Sequence, residues 1–322
     1  MTQITTRNIS AWLAASSVFT AALVMSPYRA QAQTYVLSDS QFGSLNVTGS
    51  LGLLKGEAQE YVYRANGERL SELKWRIPNT PIFKLGLSWE DVDSHTSFDL
   101  RGWTKLSSHH AQMDDYDWLS GTDQWSEHSV HPDTTLHDAY EVEAAANLWF
   151  WNGSAGRLGV AFGYQMSRLG WSAYGGEYSY DNGRQVGRIA DGQHAIAYRQ
   201  QYDVPWVGIA GQLRSGKFQL NALLKASNAA RGKDTDDHYA RNLRFRDETE
   251  DGRYYGASVS AGYALTDHWS LYSEAEWDRF EETKGHSTIT NTVTGAKYST
   301  GNGSVGMGRQ SYSLSIGTQL RF

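Results

Sequence analysis

Two short stretches carry side chains able to do proton chemistry. In 231-RGKDTDDHYAR-241, Asp234, Asp236 and His238 recur at every second residue. In 109-HHAQMDDYDWLSGTDQWSEHSVHPDTTLHD-138, Asp115 and Asp117 have the same spacing. On an extended segment a period of two puts each set on one face. A carboxylate two residues from an imidazole orients the ring and favours its charged form, and a ring so held can take a proton from water. Two carboxylates close together raise each other's proton affinity, so one stays protonated and can act as an acid. Opposed across a cleft, the two sets could hold a water and deliver it to a carbonyl, which is hydrolysis without a covalent enzyme intermediate. Other chemistries remain open on the same residues. Asp115 and Asp117 with neighbouring oxygens suit calcium. His109, His110, His128, His131 and His137 suit zinc or copper, although none has HExxH spacing. Loops rich in Asp and His also occur simply as solvated segments.

The elements that must position these residues are strands. In 311-SYSLSIGTQLRF-322, Tyr312, Leu314, Ile316, Leu320 and Phe322 share one face, and Ser311, Ser313, Ser315, Gln319 and Arg321 share the other. The segments 217-KFQLNALLKA-226 and 254-YYGASVSAGYAL-265 alternate in the same way. A period of two with small or polar residues on the second face fits a strand with lipid outside and a polar interior. Ten such segments are predicted, near 44–64, 69–90, 96–108, 138–152, 156–180, 194–214, 217–230, 254–266, 268–284 and 308–322. Their connections alternate between tight (91–95, 152–156, 215–216, 266–268) and long (109–137, 181–193, 231–253, 285–307). Short turns at one end and long loops at the other are the pattern of an outer-membrane barrel. The expectation is therefore an all-β, ten-stranded antiparallel transmembrane β-barrel. Its strands exceed the roughly 9–11 residues that cross a bilayer, so they extend, with their loops, beyond the outer leaflet. Both candidate stretches fall on long connections, on opposite walls of the extracellular mouth. A porin is disfavoured, because ten strands enclose little lumen and Trp149, Trp151 and Lys225 are expected to fill it.

Composition agrees. The chain has 322 residues, 32 glycines, 5 prolines, 12 tryptophans and 19 tyrosines, as befits twisted, aromatic-rich sheet. It has no cysteine, which removes disulfides and thiolate metal sites. Its net charge is −6, a poor basis for binding nucleic acid. Arg7, the apolar run WLAASSVFTAALVM (12–25) and Ala30-Gln31-Ala32 predict a secretory signal over 1–32, followed by the barrel domain over 33–322.

The runs 113-MDDYDW-118, 125-WSEHSVHPDT-134 and 234-DTDDHY-239 together resemble the omptins, ten-strand aspartic-type endopeptidases of Gram-negative outer membranes. The resemblance extends to 56-GEAQEYVY-63, 71-SELKW-75, 101-RGWT-104, 163-GYQMSR-168 and 271-LYSEAEWDR-279, nearly the whole of the expected mature chain. It implies a catalytic pair Asp115 and Asp117, with Trp118 fixing the register against Asp114, and a second pair Asp236 and His238. It implies that Glu60 and Asp234 form the floor of the pocket for the residue before the scissile bond, with Met113 and Ile196 as apolar walls. Ser129 and His131 take structural roles. The implied substrates are polypeptides cut at Arg or Lys, including antimicrobial peptides and host zymogens; a non-catalytic adhesive or metal-binding barrel is the alternative. No cofactor or resident metal is implied, and the chain is expected to be monomeric. Lipopolysaccharide is implied as partner and activator through Tyr164 and Arg168. Here the sequence departs from the family, with Met166 in place of an acid and Gln201 and Glu250 in place of basic residues.

Overall fold

The computed structural model describes residues 43–91, 93 and 95–322; the expected signal segment lies outside them. Twelve strands follow in chain order: β1 (Ser44–Tyr63), β2 (Arg69–Glu90), β3 (Thr96–Lys105), β4 (His109–Asp117), β5 (Glu127–Gly153), β6 (Gly156–Tyr180), β7 (Gln185–Ser215), β8 (Phe218–His238), β9 (Leu243–Ala264), β10 (Trp269–Asn291), β11 (Lys297–Ser299) and β12 (Val305–Arg321). All pairings are antiparallel, and β1 joins both β2 and β12, so the sheet closes on itself. The ring has ten staves. β3 and β4 both lie between β2 and β5 and form one interrupted stave, and β11 is a short addition to β10. Closure leaves no unpaired edge in the hydrocarbon, which is why strands can span a bilayer at all. Among the described residues no helix is long and apolar enough to cross a membrane.

The alternation read from the sequence is the barrel's inside-outside pattern. Leu314 and Ile316 on β12, Phe218 and Leu224 on β8, and Val207 and Ile209 on β7 are exposed on the outer surface, as a lipid-facing belt requires. The inner face within the belt is polar and ion-paired. Lys84 reaches Glu274 (3.2 Å) and Glu276, Arg101 reaches Glu143 (2.7 Å), and Lys225 reaches the same Glu143 (2.8 Å). Towards the tight-turn end these groups border a cavity of about 380 Å³. Trp149 and Lys225 do fill the lumen, but Trp151 does not. A register shift between Trp149 and Trp151 inserts a bulge, and both Phe150 and Trp151 then face outward.

The connections at the mouth are much shorter than the sequence suggests. The expected loop 109–137 is a gap of nine residues, 118–126, between β4 and β5; the expected loop 231–253 is a turn around Tyr239–Arg241. Above the belt no lipid constrains the outer face, and the inner face mixes buried apolar and acidic groups, so the period-two signal fades although the ladder continues. The extended strand tops pack on a second core, where Trp75 stacks on Tyr198 (5.1 Å between ring centroids, 10° between planes) beside Trp171, Met113 and Ile196.

Candidate active site

Where the side chains of the upper strands point is decided by bulges. Within the belt, even-numbered residues of β8 (Phe218, Leu220, Leu224) face out. Between Ser227 and Ala230 the register with β9 slips, one extra residue enters β8, and the parity reverses. Asp234, Asp236 and His238 therefore face inward. A comparable change occurs on β6 at Gly175 (φ +52°) and Gly176 (φ +125°). A Cβ on Gly176 would lie 2.4 Å from the Val130 carbonyl oxygen, so the turn of the chain there requires glycine.

On the opposite wall Asp115 and Asp117 lie on β4, beside Leu73 and Ser71 of β2 and Ser129 and Glu127 of β5. Ser71 Oγ donates to Asp115 Oδ1 at 3.4 Å. Asp114 is on the other face of the strand, with Arg76 at 3.7 Å and His128 at 3.4 Å, which removes it as a competitor for the site. Tyr116 also leaves the cleft and stacks on His128 (4.4 Å, 9°). Burial first, then the Asp117 charge, raises the Asp115 pKa to about 7, while His238 and Arg241 pull it the other way. Burial raises Asp117 as well, against the opposing influence of Ser71 and the Arg241 charge. The two walls are thus within electrostatic reach of each other.

His238 Nε2 and Asp236 Oδ2 are 2.5 Å apart, and Asp236 is 1% exposed. Burial disfavours the imidazolium, but the charge and hydrogen bond of Asp236 outweigh it and hold His238 above the ordinary histidine range. Phe245 closes one side of the ring, edge-on at 5.3 Å. Glu60, on β1, is buried next to Asp234, with its pKa raised by burial and then by Asp236 and Asp234. Tyr198 Oη donates to Asp234 Oδ2 at 3.1 Å. Met113 and Ile196 lie in the same apolar cluster as Tyr198, and Ile196 is directly opposite His238 in the β7–β8 ladder.

The structure thus gathers all eight expected site residues in one cleft. Ser129, directly opposite Asp115 in the β4–β5 ladder, and His131 bond to each other at 3.1 Å, and both are buried. The histidines proposed as a metal set do not converge. Among the described residues the one grouping of acids or histidines close enough to share an ion is Glu60, Asp234 and Asp247. Asp247, Arg241 and Tyr180 were missed by the sequence reading. Asp247 and Arg241 fall in the expected loop 231–253, where only the D-x-D-x-H spacing stood out. Tyr180, whose pKa is raised by burial and by Asp115 and Asp117, reaches the cleft only through the Gly175–Gly176 bulge.

On the outer surface Tyr164 is exposed at the upper edge of the belt. Arg168 lies two repeats of the pleat higher, 3.1 Å from Asp138, in a row with Gln201 and Lys233 across the sheet. Lys233 is opposite Glu248, not Glu250, so Glu250 is not the residue that continues this row.

A closed ten-stave barrel with a lipid-facing belt and an acid-histidine cleft among its extended strand tops is an outer-membrane protein with a site in its mouth. Residues 41–322 match the omptin family. The plasminogen activator of Yersinia pestis is 36% identical over 309 residues, 95% of this chain and 99% of that one. Protease 7 of Escherichia coli strain K12 is 34% identical over 256 residues, 76% of this chain and 80% of that one. The crystal structure of outer membrane protease OmpT from Escherichia coli superimposes with a TM-score of 0.84 at 30% identity, covering 89% of this chain and 100% of that one. The chain belongs to the omptin family and is an outer-membrane protease whose cleft faces the cell exterior.

Proposed function

We propose that the chain is an endopeptidase that cuts polypeptides after a basic residue, using a water held between His238 and the Asp115–Asp117 pair. The 2.5 Å contact between Asp236 and His238 carries this reading. It fixes the ring, and through its other nitrogen the neutral imidazole takes a proton from water as the hydroxyl attacks the carbonyl. A carboxyl of the Asp115–Asp117 pair, kept protonated by its neighbour and by burial, hydrogen-bonds the developing oxyanion and supplies a proton to the leaving amine. The basic side chain before the scissile bond runs its methylenes between Met113 and Ile196 and places its charge on Glu60 and Asp234. The negative mouth concentrates cationic peptides. A quenched peptide containing Arg-Arg, given to intact cells carrying the wild-type chain or His238→Ala, tests the reading. Cleavage by the wild type alone is expected; equal cleavage by both would remove the mechanism, and loss of activity in EDTA would favour a metal.

Lipopolysaccharide is the partner we propose for the outer face. Tyr164 and Arg168 stand where the belt ends, at headgroup height, and a guanidinium there can grip a phosphate bidentately. Arg231 and Lys233 on β8 face the same way and supply the neighbouring positive charge that Gln201 does not. Asp138 competes for Arg168, so the lipid activates at a higher concentration than a wholly basic cluster would need.

A further inference from the structure

The floor of the pocket holds one carboxylate more than the resemblance assigns. Asp247 on β9 joins Glu60 on β1 and Asp234 on β8, and one oxygen from each lies within 4.8 Å of the other two. The three residues are 1%, 3% and 6% exposed, respectively. Asp234 is satisfied by Tyr198 Oη (3.1 Å) and the Asp247 backbone N–H (3.2 Å). Glu60 Oε2 accepts no hydrogen bond, and Asp247 has no side-chain donor beside it except the hydroxyl of Ser287, too far or too poorly aimed to make a full bond to Oδ1. Among the described residues none of the three acids is ion-paired with a lysine or arginine. Buried carboxylates left short of donors are costly, and such groups persist where a ligand completes them.

We propose that Asp247 makes this pocket select a lysine over an arginine at the residue before the scissile bond. The inference rests on the peptidase reading above and adds the identity of the basic residue. An ammonium has three N–H donors diverging tetrahedrally. At an N···O distance of about 2.8 Å its three acceptors stand roughly 4.6 Å apart. Oxygens within 4.8 Å of one another can all reach a single nitrogen at that length. A guanidinium is flat, and its fork matches two oxygens in its own plane. The three oxygens, contributed by β1, β8 and β9, form a triangle rather than a pair. A guanidinium entering end-on therefore pairs with two of them and leaves the third buried charge unmatched. With Glu60 and Asp234 alone the fork would suffice; the third acid changes the preference.

Two peptides differing only in Lys or Arg at the cleaved position, assayed with the purified chain in lipopolysaccharide, test this. The wild type should cut the lysine peptide with a kcat/KM at least about tenfold higher, the worth of one charge-assisted bond. In Asp247→Asn that ratio should fall to about one or reverse, with the barrel shown intact by its mobility in cold SDS. Butylammonium should inhibit the wild type more strongly than butylguanidinium, a comparison that needs no variant. A wild-type preference for arginine, a ratio unmoved by Asp247→Asn, or stronger inhibition by butylguanidinium would overturn the proposal. Cleavage of neither peptide would remove the peptidase reading and this proposal with it.

Discussion

Replacing Asp236 by asparagine keeps the shape of the site and removes its charge. The carboxylate sits 2.5 Å from His238 Nε2, in side chains that are 2% and 11% exposed, so water cannot substitute for it. A charge-assisted hydrogen bond of this kind is worth about 1.5–3 kcal/mol. At about 1.4 kcal/mol per tenfold, its loss lowers the population of correctly held imidazole by about tenfold to about 150-fold. The expected fall in kcat lies in that range. It should be smaller than that of His238→Ala, where the whole contribution of a general base, about 10²–10⁴, is removed. The pH profile separates this account from simple damage. Asp236 holds the His238 pKa above its ordinary value, so the wild-type rate rises with pH as the ring loses its proton, with a midpoint above that of an unperturbed histidine. Without the carboxylate, burial and the Arg241 charge prevail over Asp115 and the rising limb moves to lower pH. Profiles of kcat for the purified wild type and Asp236→Asn, with the ring titrated by NMR, measure both effects. An unmoved limb, or a loss as large as that of His238→Ala at every pH, would falsify the assignment of Asp236 as the group that orients the base.

Other outcomes follow from the same geometry. Glu60→Gln and Asp234→Asn should each reduce kcat/KM for basic peptides by at least about tenfold, read against a neutral-residue peptide that should not respond. Removing one pocket acid should also stabilise the barrel in a pH-dependent way. The folded pKa of Asp247 is raised from 3.8 to about 7, so the folded state binds more protons, and its stability falls as pH rises through that window. Asp247→Asn should therefore raise the thermal midpoint most at pH 8, less at pH 5, and hardly at all below the ordinary carboxylate value of 3.8; a gain confined to acid pH would contradict the shift. Protein refolded in lipid-free detergent should gain activity on titration with lipopolysaccharide, and Arg168→Glu should move that titration to higher lipid without altering the pH profile. Full activity without lipid would show that the outer face does not govern catalysis.

The belt was legible because lipid imposes one rule on every outward side chain. Leu314, Ile316, Phe218 and Leu224 alternate with small or polar partners, and the ladder places each where its parity predicts. The cleft was legible in part. Asp115, Asp117, Asp236 and His238 were visible as spacings, and the resemblance supplied Glu60, Met113 and Ile196. Their facing, however, depends on features that alternation does not reveal. The extra residue between Ser227 and Ala230 turns Asp234, Asp236 and His238 inward, although a ladder continued without a slip from Leu224 would have turned them to the outside. The bulge after Trp149 sends Trp151 out of the lumen by the same arithmetic. Asp247 was hidden for a related reason. It sits among Arg244, Arg246, Glu248 and Glu250, in a run that reads as a solvated loop until β9 is seen to continue through it. The bulges cluster where the barrel leaves the membrane. There a strand must exchange a polar inner face set by the lumen for one set by the cleft, and an inserted residue makes that exchange at a single point. A charge run beyond such a point is therefore best read in both parities, and for 243–251 the second parity is the one that places Asp247 beside Glu60 and Asp234.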